Sequence, residues 1–169
     1  TLLVARWDGS WHALGTGADN AVRALVFNQS GTLYIGGSFL NIGGVAANRI
    51  ASWDGSVFAA LSTGTNQPVF ALAIGIDNLL YVGGSFTTPS NYVASWNGSA
   101  FAALAGGMNN TVTALAVGPD GKVLAGGLFT TAGGVSAARA AVWNGTSWLN
   151  LSSGVDSDIN GLAVDATGI

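Results

Sequence analysis

One histidine, three tyrosines, no cysteine and no glutamate stand among 169 residues, a poor inventory for catalysis. A nucleophile activated by a neutral-pH base would have to use His12, because imidazole is the side chain that changes charge in that range. His12 follows Trp11 in a segment whose alternation turns it away from the interior, so it reads as exposed and inert. Asp156-Ser157-Asp158-Ile159-Asn160-Gly161 matches the opening of a calcium loop, whose oxygens at alternate positions wrap the ion and whose glycine permits the turn. Its twelfth position, however, is Thr167 instead of a glutamate that could bind through two oxygens. The same stretch aligns with Asp19-Asn20-Ala21-Val22 and is better read as a loop entering a strand. The residues therefore predict no catalytic group, no metal ligand and no cofactor. Asn28, Asn97, Asn109, Asn144 and Asn150 each begin an Asn-X-Ser/Thr acceptor sequence, although Trp-Asn-Gly-Ser/Thr generates such sequences as a by-product of turn chemistry.

The elements that must position these residues repeat. Trp7-Asp8-Gly9-Ser10, Trp53-Asp54-Gly55-Ser56, Trp96-Asn97-Gly98-Ser99 and Trp143-Asn144-Gly145-Thr146 start 46, 43 and 47 residues apart. Each is followed by an aromatic residue (Trp11, Phe58, Phe101, Trp148) and then a leucine (Leu14, Leu61, Leu104, Leu151). Asp-Gly or Asn-Gly between apolar runs signals a hairpin, and the type I′ turn it favours has positive φ at both central residues. Each period holds four short apolar segments, the pattern of a four-stranded antiparallel sheet. First strands are expected at Ala21 to Phe27, Val69 to Ile74, Thr111 to Val117 and Ile159 to Val164, and second strands at Thr32 to Phe39, Leu79 to Phe86 and Lys122 to Phe129. Third strands run into the tryptophans, from Leu2, Arg49, Tyr92 and Arg139, and fourth strands carry the aromatic that follows. Fifteen strands result.

The first strands are apolar on both faces, Val69, Ala71 and Ala73 alternating with Phe70, Leu72 and Ile74, so each must lie between two other layers. One face is small (Ala24, Ala71, Ala114, Gly161) and the other keeps leucine (Leu25, Leu72, Leu115, Leu162), as sheets crowding toward an axis require. That points to an all-β β-propeller of four-stranded blades. Complete blades are expected at about 20–61, 67–104 and 110–151, with half-blade strands at 1–14 and 157–169, all in one propeller segment. Gly36-Gly37, Gly83-Gly84 and Gly126-Gly127 end the second strands, where glycine needs the reason of close approach; a tryptophan ring is expected to fill the space they leave. Trp53, Trp96 and Trp143 are expected to be buried between sheets.

These features resemble the kelch repeat of β-propellers. The fuller pattern of Gly-Gly-Ser-Phe, Gly43-Gly44, Asn48-Arg49-Ile50-Ala51 and Trp53-Asp54-Gly55-Ser56 is similar to secreted repeat proteins of the delta-sixty and fungal cortical-polarity-marker kind, across the whole chain. The second repeat departs from it, with Thr87-Thr88-Pro89-Ser90-Asn91 in place of the longer Gly-Gly loop. The resemblance implies an extracellular or surface location. The kelch-like resemblance extends to oxidases with a copper site, whose His, Tyr and Cys ligands cannot be assembled from these residues.

Five basic and eight acidic residues give a net charge of −3, with Arg6, Arg23, Arg49, Lys122 and Arg139 scattered singly. No basic stripe follows a phosphate backbone, so nucleic acid is not an expected partner. Hydrophobic residues make up 49% of the chain, and the mean hydropathy is +0.46. That excludes a disordered chain, but no apolar run reaches the roughly 18 residues of a membrane span. The expected function is a non-catalytic propeller module for adhesion, assembly or recognition of a protein or glycan. The alternative is the propeller part of a secreted carbohydrate-active enzyme or lectin whose site lies elsewhere. Ligands would meet the loops between second and third strands and those entering each first strand, where Asn41, Asn48, Arg49, Asn91, Tyr92 and Arg139 are the candidate contacts. The pattern begins with a third strand and stops after a first, which is expected to reflect either a longer polypeptide with more blades or neighbouring copies that fill the open edges in an oligomer or filament.

Overall fold

A computed structural model describes residues 4–168. In chain order the strands are β1 (Ala5–Trp7), β2 (Trp11–Ala13), β3 (Val22–Phe27), β4 (Leu33–Gly37), β5 (Asn41–Ile42), β6 (Val45–Ala46), β7 (Ile50–Trp53), β8 (Phe58–Ala60) and β9 (Val69–Ile74). There follow β10 (Leu80–Gly84), β11 (Val93–Trp96), β12 (Phe101–Ala103), β13 (Val112–Val117), β14 (Val123–Gly127), β15 (Thr131–Ala132), β16 (Val135–Ser136), β17 (Ala140–Trp143) and β18 (Trp148–Asn150). Three antiparallel four-stranded sheets result, β3-β4-β7-β8, β9-β10-β11-β12 and β13-β14-β17-β18, and β1-β2 forms a hairpin ahead of them. The architecture is that of propeller blades. β3 packs on β9 and β9 on β13, so the first strands are innermost and the three sheets follow one another around them.

The core lies between blades more than within them. One cluster joins Ile50 and Leu61 of the first blade to Val69, Val82, Phe86 and Trp96 of the second, and another joins Tyr81 and Val93 of the second to Val112, Phe129 and Trp143 of the third. Phe39, Phe86 and Phe129, which follow the glycine pairs, are fully buried. Each glycine pair performs two jobs. A Cβ on Gly36, Gly83 or Gly126 would stand 2.5, 2.6 or 2.5 Å from a methyl of Val69, Val112 or Ile159 on the following first strand. A Cβ on Gly37, Gly84 or Gly127 would press into the carbonyl oxygen of Ala21, Pro68 or Thr111. Close approach is thus the reason for the glycines, but the space is filled by valine or isoleucine with a leucine, not by the expected tryptophan. The tryptophans instead tilt against the aromatic across the hairpin, with ring centroids 4.6 Å apart for Trp53–Phe58, 4.7 Å for Trp96–Phe101 and 5.4 Å for Trp143–Trp148. Trp96 and Trp143 are buried as expected, whereas Trp53 is only half-buried because its neighbour on that side is the two-stranded β1-β2.

The tryptophan turns also differ from the two-residue type I′ form. Trp53 pairs with Phe58, leaving four residues in the loop. Only the glycine has positive φ, 104° at Gly55 and 97° at Gly98. The preceding Asp or Asn works through its side chain instead: Asn97 Oδ1 accepts from Ser99 N at 3.0 Å and Ala100 N at 2.9 Å, as Asp54 and Asn144 do in their turns. Gly98→Val should therefore destabilise by roughly 1 kcal/mol or more through backbone strain alone, since no atom lies within 4 Å of the added Cβ. Urea unfolding would measure it, and an unchanged midpoint would refute the strain argument.

Two further departures matter for the site. β5-β6 and β15-β16 are short hairpins in the loops between second and third strands, unforeseen in the sequence, and the second repeat lacks one where Thr87 to Asn91 shortens the loop. Ile159 to Val164 forms no strand ladder, since no second strand stands beside it among the described residues. It nevertheless occupies a first-strand position: Ile159 N–H donates to the Gly127 carbonyl at 3.4 Å, and the Thr113 hydroxyl donates to the Ile159 carbonyl. Of the expected first third strand, Leu2 and Leu3 lie outside the described residues, and the observed strand begins at Ala5.

Candidate functional site

Antiparallel order puts the loops between second and third strands on the same face as the loops entering each first strand, and all six residues named above lie on that face. It is built from two repeated sets of hydrogen bonds. In the first, an acceptor in the entering loop clamps the loop after the second strand of its own blade. Asp19 takes Leu40 N–H and the Asn41 side-chain amide, both at 2.8 Å. Asn66 takes Thr87 N–H at 2.9 Å and Thr88 N–H at 3.0 Å, and Asn109 takes Thr130 N–H at 2.8 Å and Thr131 N–H at 3.0 Å. The Asn41 side chain, followed by the Asn41 and Leu40 backbone, holds the Asp19 carboxyl below the ordinary carboxylate range.

The second set ties one blade to the next. The carbonyls of Asn48, Asn91 and Ala138 accept from Thr65, Met108 and Val155 N–H, each at 3.0 Å. Gly64, Gly107 and Gly154 let the backbones approach at these points. Asn48 adds a side-chain bond to the Thr63 carbonyl at 2.9 Å, so part of its polar capacity is already used in the fold. Asn41 is likewise engaged, by Asp19.

The residue that follows each accepting carbonyl is unusual. Arg49, Tyr92 and Arg139 have φ of 66°, 65° and 66°, the left-handed region that non-glycine residues rarely enter. Their N–H groups donate to Phe39, Phe86 and Phe129 carbonyls at 2.9, 2.7 and 2.9 Å, and their own carbonyls accept from Gly37, Gly84 and Gly127, which holds the conformation from both sides. Three side chains thus leave the same backbone conformation in three successive blades. Arg49 Nη1 donates to the Thr65 carbonyl at 2.8 Å. Arg139 Nε lies 3.2 Å from Asp158 Oδ1, close enough for an ion pair but not aligned for a hydrogen bond. Asp158, part of the calcium-like stretch, is therefore paired with an arginine.

The opposite face carries the tryptophan turns and the histidine. His12 is exposed, and its Nε2 lies 2.9 Å from both Ser10 Oγ and Asp8 Oδ1. A serine relay needs the two partners on different ring nitrogens, so this grouping does not orient a base between acid and nucleophile. Arg6 Nη2 pairs with the other Asp8 oxygen at 2.8 Å. Among the described residues no group of three or more His, Cys, Asp or Glu side chains could hold a metal ion.

Sequence reasoning missed the clamp at Asp19, Asn66 and Asn109, although its signal is visible: Gly17-Ala18-Asp19, Gly64-Thr65-Asn66, Gly107-Met108-Asn109 and Gly154-Val155-Asp156 stand at matching places. It also missed the left-handed residues, because arginine and tyrosine carry no local sign of positive φ.

A protein-family model described as a domain of unknown function (DUF5122) beta-propeller matches residues 118–141, which run from the turn before β14 to the start of β17. No curated protein matches the sequence. Two solved structures from B. thetaiotaomicron are similar in fold. One, described as the extracellular domain of a one-component system, superposes with a TM-score of 0.59 at 11% identity over 92% of this chain and 21% of its own. The other, described as the extracellular domain of a hybrid two-component system, gives 0.60 at 15% identity over 94% and 21%. The chain spans about a fifth of the length of either, and the likeness is one of β-propeller architecture.

Proposed function

We propose that this chain is a non-catalytic propeller module of an extracellular or surface protein, and that it recognises a protein or glycan ligand on the face bearing Arg49, Tyr92 and Arg139. The observation that carries this reading is the repeated left-handed position: one conformation, held by hydrogen bonds on both sides, displays an arginine, a tyrosine and an arginine in successive blades. Strain of about 1–3 kcal/mol per non-glycine residue in such a region persists where the surroundings enforce it, and it concentrates at ligand-binding places. A rigid frame with exchangeable side chains suits recognition, which needs little loss of freedom on binding. The extracellular placement is supported by the kelch-like, secreted-repeat resemblance and by the descriptions of the two similar structures.

The test replaces all three residues by glycine, which accepts positive φ and so removes the side chains without disturbing the backbone. The protein would be screened on glycan arrays and by capture of surface proteins, and the triple variant compared on any ligand found. Binding should weaken by about tenfold or more, the loss of one or two hot-spot contacts, measured well below the variant's own melting temperature, which will fall somewhat as the Arg49–Thr65 and Arg139–Asp158 contacts and the packing of Tyr92 are lost. Undiminished binding by the triple variant, or turnover of a bound glycan, would defeat the reading.

A further inference from the structure

On the face bearing Arg49, Tyr92 and Arg139, each blade aims a second side chain through an irregularity in its sheet. The ladder between first and second strands slips by one residue beside the glycine pair, and the residue left without a partner is Arg23 in the first blade, Phe70 in the second and Thr113 in the third. Such a bulge re-aims the side chain it releases. Arg23 reaches forward to the second blade, its guanidinium 5.2 Å from the centroid of the Phe70 ring, while its Nε–H donates to the Ser38 hydroxyl at 3.3 Å. Arg49 crosses the same seam to the Thr65 carbonyl, and its own carbonyl accepts from Gly37 N–H. Both arginines are thus anchored on Gly37-Ser38 and lean on the second blade.

Neither Arg23 nor Arg49 forms an ion pair among the described residues, whose salt bridges use Arg6, His12, Lys122 and Arg139. The third seam shows what the left-handed arginine pairs with when an acid is at hand. There Arg139 is met by Asp158, the residue directly before the first-strand position Ile159. The matching place in the first seam, before Val69, is Pro68. Asp19, the acid that the first blade carries on this face, is engaged with Leu40 N–H and the Asn41 amide. Five of the eight acidic residues, Asp8, Asp54, Asp77, Asp120 and Asp165, lie in loops of the opposite face. The first seam therefore holds two oriented positive charges with no carboxylate to compensate them.

We propose that the seam between the first two complete blades binds a carboxylate of an acidic peptide segment, with Arg23 and Arg49 as its cationic contacts. This assignment rests on the recognition face already proposed and specifies its ligand chemistry at one seam. Asp158 argues for a peptide source: an aspartyl side chain on a strand-entering segment already meets Arg139, so the frame has room for one at Arg49, where the chain supplies none. Guanidinium groups bind carboxylates through paired, charge-assisted N–H···O bonds. Anchoring Arg23 through Nε and its stacking on Phe70 leaves both Nη groups to make them. The second seam puts Phe70 and Tyr92 at the corresponding places, which gives the ligand an uncharged aromatic surface next to the charged one.

The experiment selects a displayed library of random short peptides on the immobilised chain, beside a glycan array of neutral and uronate oligosaccharides. Selected peptides should share an aspartate or glutamate, and its replacement by asparagine or glutamine should weaken binding by about tenfold or more. Arg23→Gln should weaken the acidic peptides to a similar degree. Pro68→Asp is the decisive variant. Aspartate is accommodated at this place before Ile159, so the new carboxylate should pair with Arg49 and repel the acidic peptide, again by about tenfold or more, while Pro68→Asn binds as the parent does. Peptides indifferent to loss of their acid would overturn the proposal, as would equal binding by Pro68→Asp and Pro68→Asn. So would a selection that yields no peptide, and a uronate bound in its place would assign the carboxylate to a sugar. The two readings fail separately. A ligand lost in the triple glycine variant but indifferent to Pro68→Asp removes only the carboxylate, whereas an acidic peptide that survives the triple variant removes the recognition face itself.

Discussion

Trp148→Ala should destabilise the third blade by about 3–5 kcal/mol, the range for truncating a large buried aromatic. Its ring is buried, tilts against Trp143 and lies over Gly133 of the β15-β16 hairpin, so its removal opens a void that three backbone segments share. Its indole Nε1–H also donates to the Leu104 carbonyl at 2.9 Å, joining the outer strand of the third blade to the end of the second. Truncation would leave that carbonyl without its partner. The control is Trp148→Phe, since Phe58 and Phe101 hold the same place in the other blades. That change keeps most of the packing and loses chiefly the hydrogen bond, for about 0.5–1.5 kcal/mol plus the smaller ring. Trp53→Ala should cost less than Trp148→Ala, because Trp53 is already half in water. Chemical denaturation of the three variants gives the order directly. A loss from Trp148→Ala no larger than that from Trp53→Ala would contradict the assignment of the core to the blade interfaces.

What the sequence shows and what it hides divide along a physical line. Features marked by a local pattern were legible in position: the tryptophan turns, the glycine pairs and the two-faced first strands, and three four-stranded blades resulted. Features set by which neighbour arrives were not. The hollow at Gly36 was visible, but only the packed blades show that Val69 and Leu72 fill it. Ile159 to Val164 has the pattern of a strand, yet a ladder needs a partner, and the pattern cannot supply one. At the candidate site, loop position brought Arg49, Tyr92 and Arg139 to one face, but their left-handed backbone is imposed by bonds to the carbonyls of Phe39, Phe86 and Phe129 across the loop. The two-residue hairpins β5-β6 and β15-β16 escaped notice for a related reason. Gly43-Gly44 and Gly133-Gly134 signal a turn, but the flanking residues are too few to show alternation.

Gly127→Ala should be among the most damaging single methyls that can be added to the chain, at about 3 kcal/mol or more, beyond ordinary overpacking. The added Cβ would press into the Thr111 carbonyl oxygen and stand 3.0 Å from Val112 Cα and 3.1 Å from the Thr111 carbonyl carbon. All three are backbone atoms, and no rotamer change can move them. The position is also held by its own hydrogen bond, from Gly127 N–H to the Arg139 carbonyl at 3.0 Å, so relief would require separating β13 from β14 where their register already shifts. Gly126→Ala makes an instructive contrast. Its Cβ would meet Ile159 Cγ2 at 2.5 Å and Leu162 Cδ1 at 3.0 Å, side-chain atoms of a segment with no ladder of its own. That segment can leave, so Gly126→Ala should cost about 1–3 kcal/mol and show itself as new protease cleavage after residue 156, with the third blade intact. Adding Ile159→Ala to Gly126→Ala should restore part of the loss, since the clash is with that side chain, but Ile159→Ala added to Gly127→Ala should restore nothing. Equal rescue in both backgrounds would show that the two glycines serve one purpose, and the division between a side-chain hollow and a backbone contact would fall.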